Sequence, residues 1–288
     1  MKNHVQSVIV CRTPSALDGR EVVLVASIGG NSKTKGTLEL SVFPAEVVDQ
    51  WEALITGVPK VKHGAIYVWA LRDSKLLNSV CPESCVYVRT GKGCYIQHNP
   101  QNASQAARIL REIGPGSLSE LLTVCKFTGI SQVRSMVVGD AAAIPPAEWE
   151  SVEKQITRLL PIKAWLAYTH AWRGAPHLKA SHVASCDDES QARDALNNGW
   201  SVFQVGAPTA AAMPRGSALC PSTREFGNHR GYKIGCVGCP MKCNGATPLY
   251  RYVPRHSSGD ASKKAASHRR GFNVLSDSKG RTRGLYVA

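Results

Sequence analysis

Gln132-Val133-Arg134-Ser135-Met136-Val137-Val138-Gly139-Asp140 is the stretch that decides the fold. Its β-branched run reads as a strand, and the glycine followed by an acid reads as the turn that ends it. Helical patterns flank it on both sides. Upstream, Asn102–Ile113 carries Ala106, Ile109, Leu110 and Ile113 at helical spacing, and Ser117-Leu118-Ser119-Glu120 is a capping box opening a helix through Val124. Downstream, Pro145-Pro146 starts a helix that buries Trp149, Val152, Ile156 and Leu159. Lys163–Thr169, Lys179–Ser185 and Trp200–Val205 read as further strands, the last of them closing the regular part of the chain. Glu189–Asn198 is a helix stopped by Gly199.

With another strand expected over the apolar run Ala65–Leu71, this alternation predicts an α/β fold, either a partial (β/α) barrel or an open parallel sheet. The link from Thr169 to Lys179 is the weak point, because a parallel crossover needs about a dozen residues and this one lacks a helical pattern. Residues 5–10, 21–28 and 37–43 read as N-terminal strands. Between the last two, Gly29 to Gly36 reads as a hairpin turn, since its glycine and lysine order is wrong for a phosphate loop. A short helix over 44–56 presents Val47, Trp51 and Leu54 on one face. The expected organisation is a β-hairpin region over 1–64, an α/β core over 65–210, a Cys-rich knuckle over 211–250 and a basic tail over 251–288.

Chemistry in parallel α/β folds collects at the carboxyl ends of strands. The expected strand ends carry Gly139-Asp140, Tyr168-Thr169-His170, Ser185-Cys186 and Gln204. Asp140, His170 and Cys186 are therefore the candidate catalytic residues. The Ala65–Leu71 run leads to Cys81-Pro82-Glu83-Ser84-Cys85, and Cys94-Tyr95 follows. Three thiols so close in sequence suit a metal or an iron–sulfur cluster, and three ligands leave one position open. A second group, Cys220, Cys236, Cys239 and Cys243, has the count and the Gly/Pro setting of a closed four-thiolate site. Spacing alone leaves zinc and iron–sulfur open at both. Cys11 and Cys125 read as small core residues.

Ten cysteines without a secretory signal point to metal or redox chemistry rather than a disulfide framework. No apolar run has the length of a membrane span, so the expectation is a cytoplasmic protein without a membrane partner. At 288 residues with 43% hydrophobic composition the chain can bury a full core. Its net charge of +14 suits a polyanion. The last 43 residues hold nine Lys/Arg against two Asp, which makes nucleic acid the expected partner of the C-terminal tail. No feature of the sequence sets an oligomeric state.

Taken in order, Cys81-Pro-x-x-Cys85 with Gly93-Cys94-Tyr95, Arg134 to Gly139-Asp140, Ala167-Tyr168-Thr169-His170, Ala184-Ser185-Cys186 and the Cys220-to-Gly245 ending resemble the phage gene-product-eighty-eight family. The resemblance runs from about Ile28 to Gly245, and its layout is similar to that of radical S-adenosylmethionine (SAM) enzymes. It implies a phage or mobile-element protein in which Cys81, Cys85 and Cys94 hold a 4Fe–4S cluster. One iron would be left to chelate SAM, with Gly139, Asp140 and Tyr95 at the cofactor. It further implies an auxiliary 4Fe–4S or zinc site on Cys220, Cys236, Cys239 and Cys243, and an external electron donor. Eight residues separate Cys85 from Cys94 where the radical SAM loop has two, and the aromatic follows the last cysteine rather than preceding it.

Three functions fit these residues. The first is a radical SAM-like enzyme that cleaves SAM and modifies a nucleotide or nucleic acid. The second is a zinc protein that binds nucleic acid without catalysis, with His98 as fourth ligand of the first site. The third is a zinc-containing barrel that exchanges or modifies bases without radicals.

Overall fold

β2 (Glu21–Ile28) is buried at every position from Val22 to Ser27. β3 (Leu38–Pro44) is buried throughout. Runs without alternation belong to strands covered on both faces. The computed structural model describes residues 6–29, 36–73, 76–85, 100–206, 214–221, 243 and 249–254. It divides into two units, Met1–Leu178 and Lys179–Ala288.

In the first unit, β1 (Ser7–Pro14), β2, β3, β4 (Gln132–Arg134) and β5 (Ala164–Leu166) form one mixed sheet in that order. β1, β2 and β3 pair antiparallel, with a bulge in β1 between Ile9 and Cys11. β3, β4 and β5 pair parallel. The hairpin expected at Gly29 is present in its frame, since the Gly29 N–H donates to the Thr37 carbonyl at 2.8 Å. Residues 30–35 of its turn lie outside the described residues.

One face of the sheet, through Ile9, Val23, Val25 and Phe43, packs on α1 (Ala45–Ile55), α2 (His63–Asp73) and α4 (Pro100–Arg111). Phe43, Trp51 and Tyr67 meet edge to face there. On the other register, Leu24, Ala26, Leu40 and Val42 are buried as well. α5 (Leu118–Phe127) packs against β1, β2 and α6 (Pro146–Leu159). α5 opens on the expected capping box of Ser117 and Glu120.

Ala65–Leu71 is not a strand but the body of α2. His63, Tyr67 and Leu71 are buried at four-residue intervals, which is helical spacing. The contiguous apolar letters hide that period, because short apolar runs fit helix and strand alike. Gln132–Val138 is one strand only as far as Arg134. Met136 has φ of 60°, in the left-handed region, and breaks the ladder. The chain then rejoins β3, with the Val137 N–H on the Leu40 carbonyl at 2.9 Å and the Val42 N–H on the Val138 carbonyl at 3.0 Å.

The single five-stranded core is also corrected. The expected strand Lys163–Thr169 is split: β5 belongs to the first sheet, whereas β6 (Tyr168–Thr169) and β7 (Val183–Cys186) are strands of the other. Between Thr169 and Val183 the described residues form a single 3-10 turn, Pro176–Leu178, and no helix. In the second unit β7, β8 (Val202–Gly206), β10 (Tyr250–Pro254) and β9 (Ala218–Leu219) lie in that order, all parallel. Asp188 caps the intervening α7 (Glu189–Asn197) by accepting from the Gln191 N–H at 2.8 Å. Trp200–Val205 therefore does not supply the last strand. Arg251 is no tail residue either: it sits in β10 and is 1% exposed. β10 needs a glycine beside it, because a Cβ at Gly206 would run into the Tyr252 ring. Among the described residues, no helix is long and apolar enough to cross a membrane.

Candidate functional site

The thiol loop of the first unit is built on α3 (Leu77–Val80), a single helical turn packed on β3. Ser79 ties this turn down. Its hydroxyl donates to the Leu76 carbonyl at 2.6 Å, and its own carbonyl accepts from the Ser15 hydroxyl at 2.6 Å. The Cys81 N–H then closes on the Leu77 carbonyl at 2.9 Å, and the Cys85 N–H on the Pro82 carbonyl at 3.0 Å. Cys85 is buried and Cys81 half-buried.

Two strand ends meet this loop. The Asp140 N–H donates to the Val80 carbonyl at 2.7 Å, so the turn after Val138 is bonded to the residue just before Cys81. Gly139 makes that approach possible. Its φ is 77°, and a Cβ there would lie 3.0 Å from the Val42 carbonyl oxygen and 3.2 Å from that of Val80. From the other strand end, the His170 carbonyl accepts from the Ser84 hydroxyl at 3.0 Å.

Asp140 joins the two strand ends to each other. It is 3% exposed. Its Oδ1 accepts from the Ala142 N–H at 3.0 Å and from the Thr169 hydroxyl at 2.8 Å. Its Oδ2 accepts from the His170 N–H at 2.8 Å. The Thr169 Oγ1 in turn accepts from the Ala171 N–H at 3.0 Å. A carboxylate offers about four acceptor positions, and three are filled from within the chain. Beyond His170 the loop carries buried Trp172, with the exposed Arg173 guanidinium 4.0 Å over its ring.

The structure thus brings together Cys81, Cys85, Gly139, Asp140 and His170, all in the first unit. Cys186 ends β7 in the second unit, buried, with its Sγ 3.8 Å from the Ala184 carbonyl. Cys220 follows β9, its N–H bonded to the Tyr252 carbonyl at 3.0 Å, and Cys243 is buried in the same unit. Cys94, Tyr95, His98, Cys236 and Cys239 lie outside the described residues, as does the chain beyond Pro254. Among the described residues, no three His, Cys, Asp or Glu side chains are grouped to hold a metal ion.

Two other thiols are held in the neutral form by their surroundings. Burial pushes the Cys125 thiol up to about 12, and burial followed by the charge of Glu148 raises Cys11. Neither forms a thiolate readily near neutral pH.

Sequence reasoning missed Ser84 and Thr169. Both are small hydroxyl residues beside a candidate, Ser84 within the thiol loop and Thr169 just before His170. Hydroxyls at such positions commonly bond to nearby backbone or to a neighbouring acid. No family model matches the chain, and no curated protein or solved structure matches it.

Proposed function

We propose that the chain is a radical SAM-like iron–sulfur enzyme whose first site lies where the Cys81–Cys85 loop meets the strand ends at Asp140 and His170. The observation that carries this reading is the pair of bonds from the loop to those two ends, Asp140 N–H to Val80 and Ser84 to His170. The donor chemistry fits, because Cys81 and Cys85 offer soft sulfur ligands from one short loop. Cys94 would complete the three-thiolate set, and Cys220, Cys236, Cys239 and Cys243 the auxiliary one, as a second 4Fe–4S cluster or zinc.

When bound, cluster and SAM would supply the one-electron chemistry that side chains lack. The chain's own residues supply place and seclusion. Gly139 gives the backbone its close approach, Asp140 and Thr169 hold the two segments together, and Cys85 is buried beside them. Tyr95 and His170 are the candidates for contact with cofactor or substrate at this site, and Cys186 is a catalytic candidate within the second unit. The partial (β/α) barrel arrangement of such enzymes goes with this reading.

The substrate class proposed is a nucleotide or nucleic acid, drawn by the basic excess beyond Pro254, in the cytoplasm of a host cell and with an external electron donor. The same charge supports a second reading, a zinc protein that binds nucleic acid without catalysis.

Anaerobic purification with iron, sulfide and zinc analysis separates the two. Iron with acid-labile sulfide, and 5′-deoxyadenosine formed from SAM under a strong reductant, is the outcome expected. Colourless protein carrying two zinc ions and leaving SAM intact would replace the first reading with the second.

A further inference from the structure

Asp140 has the position of a cofactor-binding or catalytic acid, yet its carboxylate is turned into the chain. Every hydrogen bond it accepts among the described residues comes from the two strand ends, from Ala142, Thr169 and His170. Those ends in turn hold the thiol loop through main-chain groups: the Asp140 N–H donates to the Val80 carbonyl on one side, and the His170 carbonyl accepts from the Ser84 hydroxyl on the other. The path runs from the Asp140 carboxylate to the His170 N–H, across the His170 Cα to its carbonyl, and on to the hydroxyl of Ser84, the neighbour of Cys85. A second path runs from the Asp140 peptide through Val80 to Cys81.

We propose that Asp140 is the positioning residue of the thiolate loop, with Thr169 as its partner and Ser84 as the latch that transmits its hold to Cys85. This rests on the metal-thiolate reading above and changes the part Asp140 plays in it. The acid sets the spacing and orientation of the sulfurs and does not itself receive the cofactor. Groups that orient a metal's ligands commonly alter metal affinity by about 10- to 100-fold when removed, without touching the metal. Buried hydrogen-bond donors at both ends make the arrangement rigid, because each left unpaired is unfavourable.

The test uses the full chain, reconstituted anaerobically with ferrous iron and sulfide, and in parallel with zinc alone. Alkylation of Cys81 and Cys85 is followed by peptide mass spectrometry, so each thiol reports its own protection. Amide hydrogen exchange at Ala142, His170 and Ala171 reports the brace independently of metal. In Asp140→Ala those amides should exchange faster, and protection of Cys81 and Cys85 should be lost at least about tenfold faster under chelator. Asp140→Asn, which keeps one carbonyl acceptor, should fall between. Thr169→Val should expose Ala171 and weaken thiol protection, and Ser84→Ala should loosen Cys85 more than Cys81 while leaving Ala142 protected. These milder variants carry the test should Asp140→Ala fail to fold.

Faster amide exchange with thiol protection unchanged would overturn the positioning role. So would unchanged exchange at Ala142 and His170 in a folded Asp140 variant. Wild-type Cys81 and Cys85 that alkylate equally with and without metal would overturn the metal reading instead, and the positioning role with it.

Discussion

Two buried carboxylates stand at opposite ends of the same sheet, and the chain neutralises them in different ways. Glu39 enters near the start of β3 and is fully buried. It accepts a hydrogen bond from Gln105 of α4 at 2.7 Å, and two guanidiniums face it from further off, Arg108 at 3.7 Å and Arg134 at 3.9 Å. Arg108 is shared with Glu112 one helical turn on. Asp140, beyond the other end of the sheet, accepts only from neutral donors, two peptide N–H groups and a hydroxyl. The difference teaches what each carboxylate does. Guanidiniums on long side chains balance a charge without fixing a position, whereas peptide donors belong to the backbone and fix where it runs. Glu39 is a charge in a sheet; Asp140 is a joint between strand ends.

The largest effect should follow from breaking the joint. Asp140→Ala strips a partner from two peptide groups and a hydroxyl in a buried place, which should cost about 4 kcal/mol, given 1–3 kcal/mol for each donor left unmet. Glu39→Ala should cost about 3 kcal/mol, because its arginines are partly exposed and regain water when the carboxylate goes. Urea unfolding of the two variants checks the order. Equal losses, or a larger loss at Glu39, would erase the distinction drawn between them. Asp140→Asn and Glu39→Gln sharpen it: losing charge alone should matter more at Glu39, and losing an acceptor more at Asp140.

Next in size comes the backbone that brings Asp140 to the loop. Gly139→Ala meets both a positive φ and the Val42 carbonyl oxygen at 3.0 Å, for a loss of about 2 kcal/mol. Its damage should reach the thiol loop, since the strained turn also donates the Asp140 N–H to Val80. Amide exchange at Asp140 should rise in Gly139→Ala and stay unchanged in Glu39→Ala. A rise in both would mean that the two ends of the sheet are not independent.

How much of this was legible in the letters depends on the residue. The capping box at Ser117, the proline start of α6 and the hairpin between β2 and β3 use short-range chemistry, and the sequence carries such chemistry openly. The approach of Asp140 to His170 was not legible in this way: β4 stops at Arg134 and His170 follows β6, a strand of the other sheet, so the bond from the His170 N–H to Asp140 is a long-range contact. Tyr67 and Leu71 misled, since an apolar run masks its own period. Glu39 gave no sign: an acid between Leu38 and Leu40 reads as the solvent side of a strand, and its partners Gln105, Arg108 and Arg134 lie far along the chain. Arg251 misled in a similar way, a basic residue before a basic segment whose place in β10 is set by pairing with distant Phe203 and Ala218. Long-range partners decide the fate of a charged residue, and no local pattern announces them.

The smallest effect comes from a third carboxylate that repeats the Asp140 chemistry at the surface. Glu120 accepts from the Ser117 N–H at 2.7 Å and from the Ser117 hydroxyl at 3.0 Å, as the reciprocal half of the box that opens α5. The peptide N–H first, and the hydroxyl second, hold its carboxyl below the usual glutamate range. The folded form therefore prefers the charged carboxylate more than the unfolded chain does. That stability is present above the ordinary glutamate range and is lost as pH falls through the lowered folded value. Water screens an exposed group, so the thermal midpoint should fall only slightly on acidification from this source. Glu120→Gln should remove that slice of acid sensitivity while leaving the neutral-pH midpoint nearly unchanged, read from melting curves of both proteins between neutral and strongly acidic pH. If Glu120→Gln lowers the neutral midpoint as far as Asp140→Asn does, burial is not what separates a brace from a cap, and the contrast drawn from Asp140 fails with it.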